Sequence, residues 1–172
     1  KAKGRTSPNP MVGAVLVKNG QILGRGYHAR AGAPHAEICV LQAVGGEARE
    51  GTLYINLEPC CHWGRTPPCT QALVRSGIQR VIVGMVDPNP LVAGKGIEEL
   101  RRAGIEVEIG LLEEEARRIN EAFIKYVTTG RPFVILKTAV SLDGKIATAS
   151  RQSRWITGAR SRQEVHRLRA QV

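Results

Sequence analysis

Residues 11–17 (MVGAVLV) form an apolar run rich in β-branched side chains, Asn19-Gly20 follows, and residues 21–27 resume a strand-like pattern. Asn-Gly between two such runs is a strong hairpin signal, because both central residues of a type I′ turn need positive φ. In residues 35–44 (HAEICVLQAV), Ile38, Leu41 and Val44 recur at helical spacing and Gly45-Gly46 follows. That predicts a short helix with a glycine stop, bounded in front by Pro34. Residues 52–57 (TLYINL) read as a strand, a loop with Pro and Gly runs from 58 to 68, and a short helix through 71–74 ends at Gly77. Residues 80–86 (RVIVGMV) are almost continuously apolar, as in a strand covered on both faces. After the loop DPNPLVAGKG the pattern predicts a helix over 97–103, a strand over 106–109 and one longer helix from about 112 to 126.

Strands alternating with helices after an opening hairpin imply a mixed sheet with helices on both faces, a three-layer α/β/α sandwich. The segment TTGRP at 128–132 interrupts the pattern, and residues 133–140 begin a new strand. A domain boundary is therefore expected near residue 130, giving domains 1–129 and 130–172. Repeats and low-complexity segments are not evident.

Composition narrows the class. Of 172 residues 42% are hydrophobic, yet no run is long enough to cross a bilayer, which argues against a membrane protein and against a disordered tail. Aromatics are only 4%, too few for a platform that stacks single-stranded bases. The net charge of +10 is uneven: residues 131–172 carry nine basic and two acidic side chains. Such a block favours an anionic partner, either the phosphate of a small ligand or a nucleic-acid backbone, unless it is simply a solvated face. No export signal is visible at the start, and the last residues stop in the middle of a helical pattern, so a piece of a longer cytoplasmic protein is expected.

Four cysteines, Cys39, Cys60, Cys61 and Cys69, are present. Neighbouring cysteines make poor disulfides, so metal binding or plain thiols fit better. His35-Ala36-Glu37 opens a helix, Pro59-Cys60 follows the next strand, and Cys69 opens the following helix. One imidazole and two thiolates suit zinc, which in catalytic sites takes three protein ligands and keeps a fourth position for water. Helix N-termini near the ion would favour the thiolates. Glu37, two positions from His35, is poorly placed to bind the same ion but well placed to move a proton beside it. Cys61 and His62 are rival ligands in the same loop, whereas Cys39 reads as a small core residue. The Gly94-x-Gly96 pair is too short for a dinucleotide fingerprint, and residues 113–115 (EEE) read as an acidic first turn.

The H-x-E and P-C elements resemble those of zinc nucleobase deaminases, whose cysteines stand two residues apart. Here eight residues separate Cys60 from Cys69. The stretches RTSPNPMVGAV, HAE, LEPCCHWGRTPPC, DPNPLVAGKG, LKTAVSLDGKIA and RWITG together are similar to the bifunctional riboflavin-biosynthesis deaminase/reductase family, over nearly the whole chain. The resemblance implies a cytidine-deaminase-like first domain that hydrolyses the 2-amino group of 2,5-diamino-6-ribosylamino-4(3H)-pyrimidinone 5′-phosphate. It implies a second domain that reduces the ribosyl group with NADPH, and a homo-oligomer without nucleic-acid or membrane partners. By position it makes His35, Cys60 and Cys69 the zinc ligands and Glu37 the proton donor. Asn9 and His28 then hold substrate, and Arg65, whose fork can donate two bonds at once, takes the phosphate. Ala139 and Trp155 match NADPH contacts, and Ser153 and Arg169 match reductase substrate contacts. Trp155 reads equally well as a core anchor, and Lys95 as either a substrate-entrance residue or a solvated lysine. The rivals are a deaminase of nucleic-acid bases and a structural zinc domain closed by a fourth ligand such as Cys61.

Overall fold

A computed structural model describes residues 2–64 and 66–171. It divides into two compact units, Lys1–Phe133 and Val134–Val172. Arg65, the expected phosphate contact, lies outside the described residues.

The first unit opens with the hairpin β1 (Gly13–Lys18) and β2 (Gln21–Tyr27). Asn19 and Gly20 turn it at φ 51 and 74, the left-handed pair that the Asn-Gly sequence predicts. There follow α1 (Ala36–Val44), β3 (Thr52–Leu57), α2 (Cys69–Ser76), β4 (Arg80–Met85), α3 (Lys95–Arg102) and β5 (Glu106–Ile109). Gly45 and Gly77 end α1 and α2 in the left-handed conformation. The sheet order is β2-β1-β3-β4-β5; β1 is antiparallel to both neighbours, while β3, β4 and β5 run parallel.

One face of the sheet is buried by α1, α2 and α3. Leu16, Leu53, Ile55, Val81 and Val83 pack there against Val40, Leu73, Ile97 and Leu100. Burying side chains of this size stabilises by roughly 1.5–3 kcal/mol each, which makes this layer the main source of stability. Strand β2 lies so close under α1 that a Cβ on Gly26 would sit 2.5 Å from the Ala36 carbonyl oxygen, a position only glycine can fill. The opposite face meets α4 (Glu113–Ile119), with Ala116 against Gly84 and beside Leu57 and Met85. The three layers of the expected sandwich are thus present.

Two expectations fail. The single helix over 112–126 is broken: Asn120, at φ −106, ends α4 and starts α5 (Glu121–Thr129). The strand expected over 133–140 does not form among the described residues, where no other segment offers it a ladder. Among the described residues the second unit contributes one helix, α6 (Ala159–Arg169). No helix among the described residues is long and apolar enough to cross a membrane.

Candidate metal centre

The parallel strands β3 and β4 end on the same side of the sheet, where α1 and α2 begin, and ligand sites in such sheets form beyond the carboxyl ends of the strands. His35 is the N-cap of α1, Cys69 is the first residue of α2, and Cys60 stands three residues beyond the end of β3. One donor atom from each lies within 4.8 Å of the others. The His35 Nδ1 is 3.6 Å from Cys60 Sγ and 3.3 Å from Cys69 Sγ. Zinc bonds of ~2.1 Å to nitrogen and ~2.3 Å to sulfur, at a tetrahedral angle, place nitrogen and sulfur about 3.6 Å apart. The three donors therefore already stand at the spacing of a zinc shell, and their borderline-soft character suits that ion.

The electrostatics agree with the geometry. Cys60 is held far below the usual thiol range, at about 4, mainly by a hydrogen bond from the Cys69 thiol and further by His35. Cys69 is pushed up for the same reason, because its proton is held against Cys60. The His35 imidazole is raised by its hydrogen bond to Cys60, against the effect of burial. Protons shared in this way are those a cation displaces when thiolates and imidazole become ligands.

Glu37 is 3% exposed, and its Oε2 has no hydrogen-bond partner. Burial raises its carboxyl group to about 7. A buried carboxyl oxygen without a partner is costly in a finished protein and calls for a group outside the chain.

Beside this cluster, His28 is buried and its ring meets that of His35 edge to face, centroids 5.4 Å apart. Asn9 Nδ2 lies 3.1 Å from His28 Nε2, and His28 Nδ1 lies 3.1 Å from the Pro34 carbonyl oxygen. The only consistent assignment has the Asn9 amide donating to Nε2 and Nδ1–H donating to Pro34, which leaves the Asn9 carbonyl oxygen unengaged by this pair. Asn9 and His28 thus join the cluster that the sequence assembled from distant positions.

The rival ligands stay outside. Cys61 and His62 are not in the three-residue cluster, although the His62 Nδ1 is buried without a partner. Cys39 is half-buried, its thiol 3.8 Å from the Pro34 carbonyl oxygen. Lys95 folds back on its own loop, donating to the Pro90 oxygen at 2.9 Å. In the second unit, Ala139 is half-buried in the unpaired segment 133–140, while Ser153 in a loop and Arg169 at the end of α6 are exposed. Trp155 is 67% exposed with the Arg162 guanidinium 4.2 Å from its ring centroid, so within its unit it is not a core anchor.

Two residues escaped the sequence reading. Asn120 accepts the Met11 N–H at 2.7 Å and donates to the Met11 carbonyl oxygen at 3.1 Å, replacing a missing strand neighbour. Asn56 donates to the same carbonyl at 2.9 Å and accepts the Gly13 N–H at 2.8 Å. Together they hold the segment that carries Asn9. The one available cue was an asparagine inside an apparent helix, where its side chain competes with the backbone.

Comparison with known proteins bears on the class first. Residues 1–85 match the cytidine and deoxycytidylate deaminase zinc-binding region, and residues 132–172 match the RibD C-terminal domain. The chain is 57% identical over its full length to the riboflavin biosynthesis protein RibD of Aquifex aeolicus (strain VF5), covering 48% of that protein. It superposes with a TM-score of 0.93 on a diaminohydroxyphosphoribosylaminopyrimidine deaminase/5-amino-6-(5-phosphoribosylamino)uracil reductase from Thermotoga maritima. That protein is 50% identical, with 98% of this chain and 49% of the other covered. A Rib2 deaminase of Aspergillus oryzae, solved in complex with DARIPP, matches at 25% identity and a TM-score of 0.58 over 73% of this chain and 87% of its own. The chain carries a zinc-binding deaminase domain and belongs to the RibD family of riboflavin-biosynthesis proteins. It spans about half the length of the curated relatives it matches.

Proposed function

We propose that residues 1–129 form a zinc-dependent hydrolase that removes the 2-amino group of 2,5-diamino-6-ribosylamino-4(3H)-pyrimidinone 5′-phosphate as ammonia. The observation that carries this reading is the His35-Cys60-Cys69 triangle at zinc spacing, with the unpartnered Glu37 oxygen buried beside it.

His35, Cys60 and Cys69 would hold the ion through Nδ1 and two sulfurs. Zinc in such a site supplies a water acidified to a pKa near ~7, so that a nucleophile exists without strong base. Glu37, buried beside these ligands, would take the proton given up when water adds to C2 of the pyrimidine ring. It then delivers a proton to the amino nitrogen; the C–N bond breaks, and ammonia leaves. A carboxyl group raised to about 7 by burial suits both halves of this work, since a shuttle is most effective when its proton affinity matches the working pH.

Asn9, fixed by His28, presents its carbonyl oxygen to the N–H edge of the pyrimidine, and Arg65 pairs with the 5′-phosphate. A small phosphorylated pyrimidine, rather than a base in nucleic acid, is the substrate; the similarity to a Rib2 deaminase solved in complex with DARIPP supports a small-molecule substrate. Residues 130–172 are the opening of an NADPH-dependent reductase domain, in which Ala139 and Trp155 contact the cofactor and Ser153 and Arg169 the ribosyl substrate. The full-length protein acts as a homo-oligomer. Two thiolate ligands need a reducing compartment, which the cytoplasm provides.

Glu37→Gln tests the reading. Its zinc content should stay at that of the parent while ammonia release from the pyrimidine phosphate falls by roughly 10²–10⁴-fold. Undiminished ammonia release from the zinc-loaded variant would remove Glu37 from the reaction.

A further inference from the structure

The loop between β4 and α3 offers a row of backbone N–H groups of the kind that cradles anions at helix starts. They are taken already, by a side chain of the same protein. The buried carboxylate of Glu58 accepts the N–H groups of Gly96 (2.9 Å) and Ile97 (3.2 Å) on Oε1. On Oε2 it accepts those of Gly94 (2.9 Å) and Asp87 (3.1 Å). Four charge-assisted bonds therefore converge on one side chain from a loop 29 to 39 residues further along the chain. Lys95 closes the loop from outside through the Pro90 and Leu91 carbonyl oxygens.

The other end of the frame is the exit of β3. The Glu58 N–H donates to the Met85 carbonyl oxygen at 3.0 Å, and the next residue, Pro59, is fully buried. Gly96 passes so near that a Cβ there would fall 2.2 Å from the Pro59 carbonyl oxygen. Cys60 follows immediately, its carbonyl oxygen accepting the Thr70 N–H at 3.2 Å and its sulfur the Cys69 N–H at 3.4 Å.

We propose that Glu58 is a positioning residue for Cys60: its carboxylate locks the β4–α3 loop to the β3 exit and so holds the sulfur at the distance from His35 that zinc requires. The proposal rests on the zinc reading above. A carboxylate can accept all four N–H groups, whereas a carboxamide turns one acceptor oxygen into a donor and leaves two of them facing an NH₂. Volume is unchanged, so Glu58→Gln loosens the frame without emptying it. Groups that orient metal ligands in this way commonly govern metal affinity as strongly as they govern structure.

The test follows zinc release from the full-length, zinc-loaded protein into a chromogenic chelator. Glu58→Gln should release zinc at least about 10-fold faster than the parent. When saturated with zinc it should keep the parental KM. Leu100→Ala, on the same helix α3 and fully buried but outside this hydrogen-bond frame, should lower the melting temperature and leave zinc release unchanged. Gly96→Ala, whose added carbon would press on the Pro59 carbonyl oxygen and crowd the Glu58 carboxylate, should also accelerate release. If Glu58→Gln does not fold, Glu58→Asp takes its place with the same expected direction. Parental release rates in the Glu58 variants overturn the proposal, as does equal acceleration by Leu100→Ala. A parent protein that binds no zinc overturns the zinc reading and this proposal with it, whereas zinc-replete variants with unchanged release overturn this proposal alone.

Discussion

Strand β4 and residues 134–136 are both short runs of aliphatic side chains, yet Val81 and Val83 are fully buried while Leu136 is 86% exposed and Val134 nearly as much. Strand β4 lies between β3 and β5 and beneath α3; residues 134–136 have no ladder among the described residues. A strand is a property of its neighbours rather than of its own residues. The same contrast separates the two sets of candidate site residues. In the first unit a finished core brings His35, Cys60, Cys69, Glu37, His28 and Asn9 together, and chemistry can be argued from their distances. In the second, Ala139, Ser153, Trp155 and Arg169 have no such frame, and their roles rest on resemblance.

Four measurements would break or sharpen this contrast. Stripping zinc should act on the first unit alone: a ligand at a thousandfold excess over its Kd stabilises by about 4 kcal/mol. Calorimetry should therefore show the first unit's melting transition fall after chelation, while hydrogen exchange in α6 stays unchanged. Leu100→Ala empties a fully buried position and should cost 2–5 kcal/mol in denaturant unfolding of the first unit, within the range for large-to-small core changes.

The third concerns Asp87, buried at the mouth of the β4–α3 loop, whose carboxyl group burial pushes up to about 6. Its folded pKa lies above its unfolded value of 3.8, so between these pH values the folded state holds the proton more tightly. Stability through this group is present at low pH and lost as pH rises toward about 6, with a size on the order of 1 kcal/mol or more. Asp87→Asn keeps the acceptor for the Asn89 N–H and should flatten that decline in the urea midpoint between pH 4 and 6. The smallest effect is expected in the second unit, where Leu136→Ala should change stability by less than ~0.5 kcal/mol.

The sequence foretold most of the first unit for identifiable reasons. Asn19-Gly20, Gly45 and Gly77 mark turns that need positive φ, and β3 and β5 match their patterns residue for residue. The candidate zinc ligands could be picked out because thiol, imidazole and carboxyl groups fell at helix starts and strand ends, where a βα sheet gathers them, and the fold brings His35, Cys60 and Cys69 within 4.8 Å of one another. The break at Asn120 left no cue beyond the asparagine itself, because the periodicity of residues 112–126 carries no trace of the Met11 backbone, 109 positions away, that the asparagine serves. Glu58 was hidden for a similar reason. Beside Pro59-Cys60 it looks like another loop carboxylate, and only the fold brings four N–H groups to it. The second unit misled because an apolar run predicts a strand only where a partner is available.

The central claim is that one imidazole and two thiolates bind zinc and leave it one position for water. X-ray absorption at the zinc edge of the loaded protein tests it most directly. The account predicts two sulfur neighbours at ~2.3 Å and two nitrogen or oxygen neighbours at ~2.0–2.1 Å, reduced to one such neighbour in His35→Ala only if water does not refill the site. A shell with three sulfurs in the unsubstituted protein, Cys61 having closed the fourth position, would contradict it.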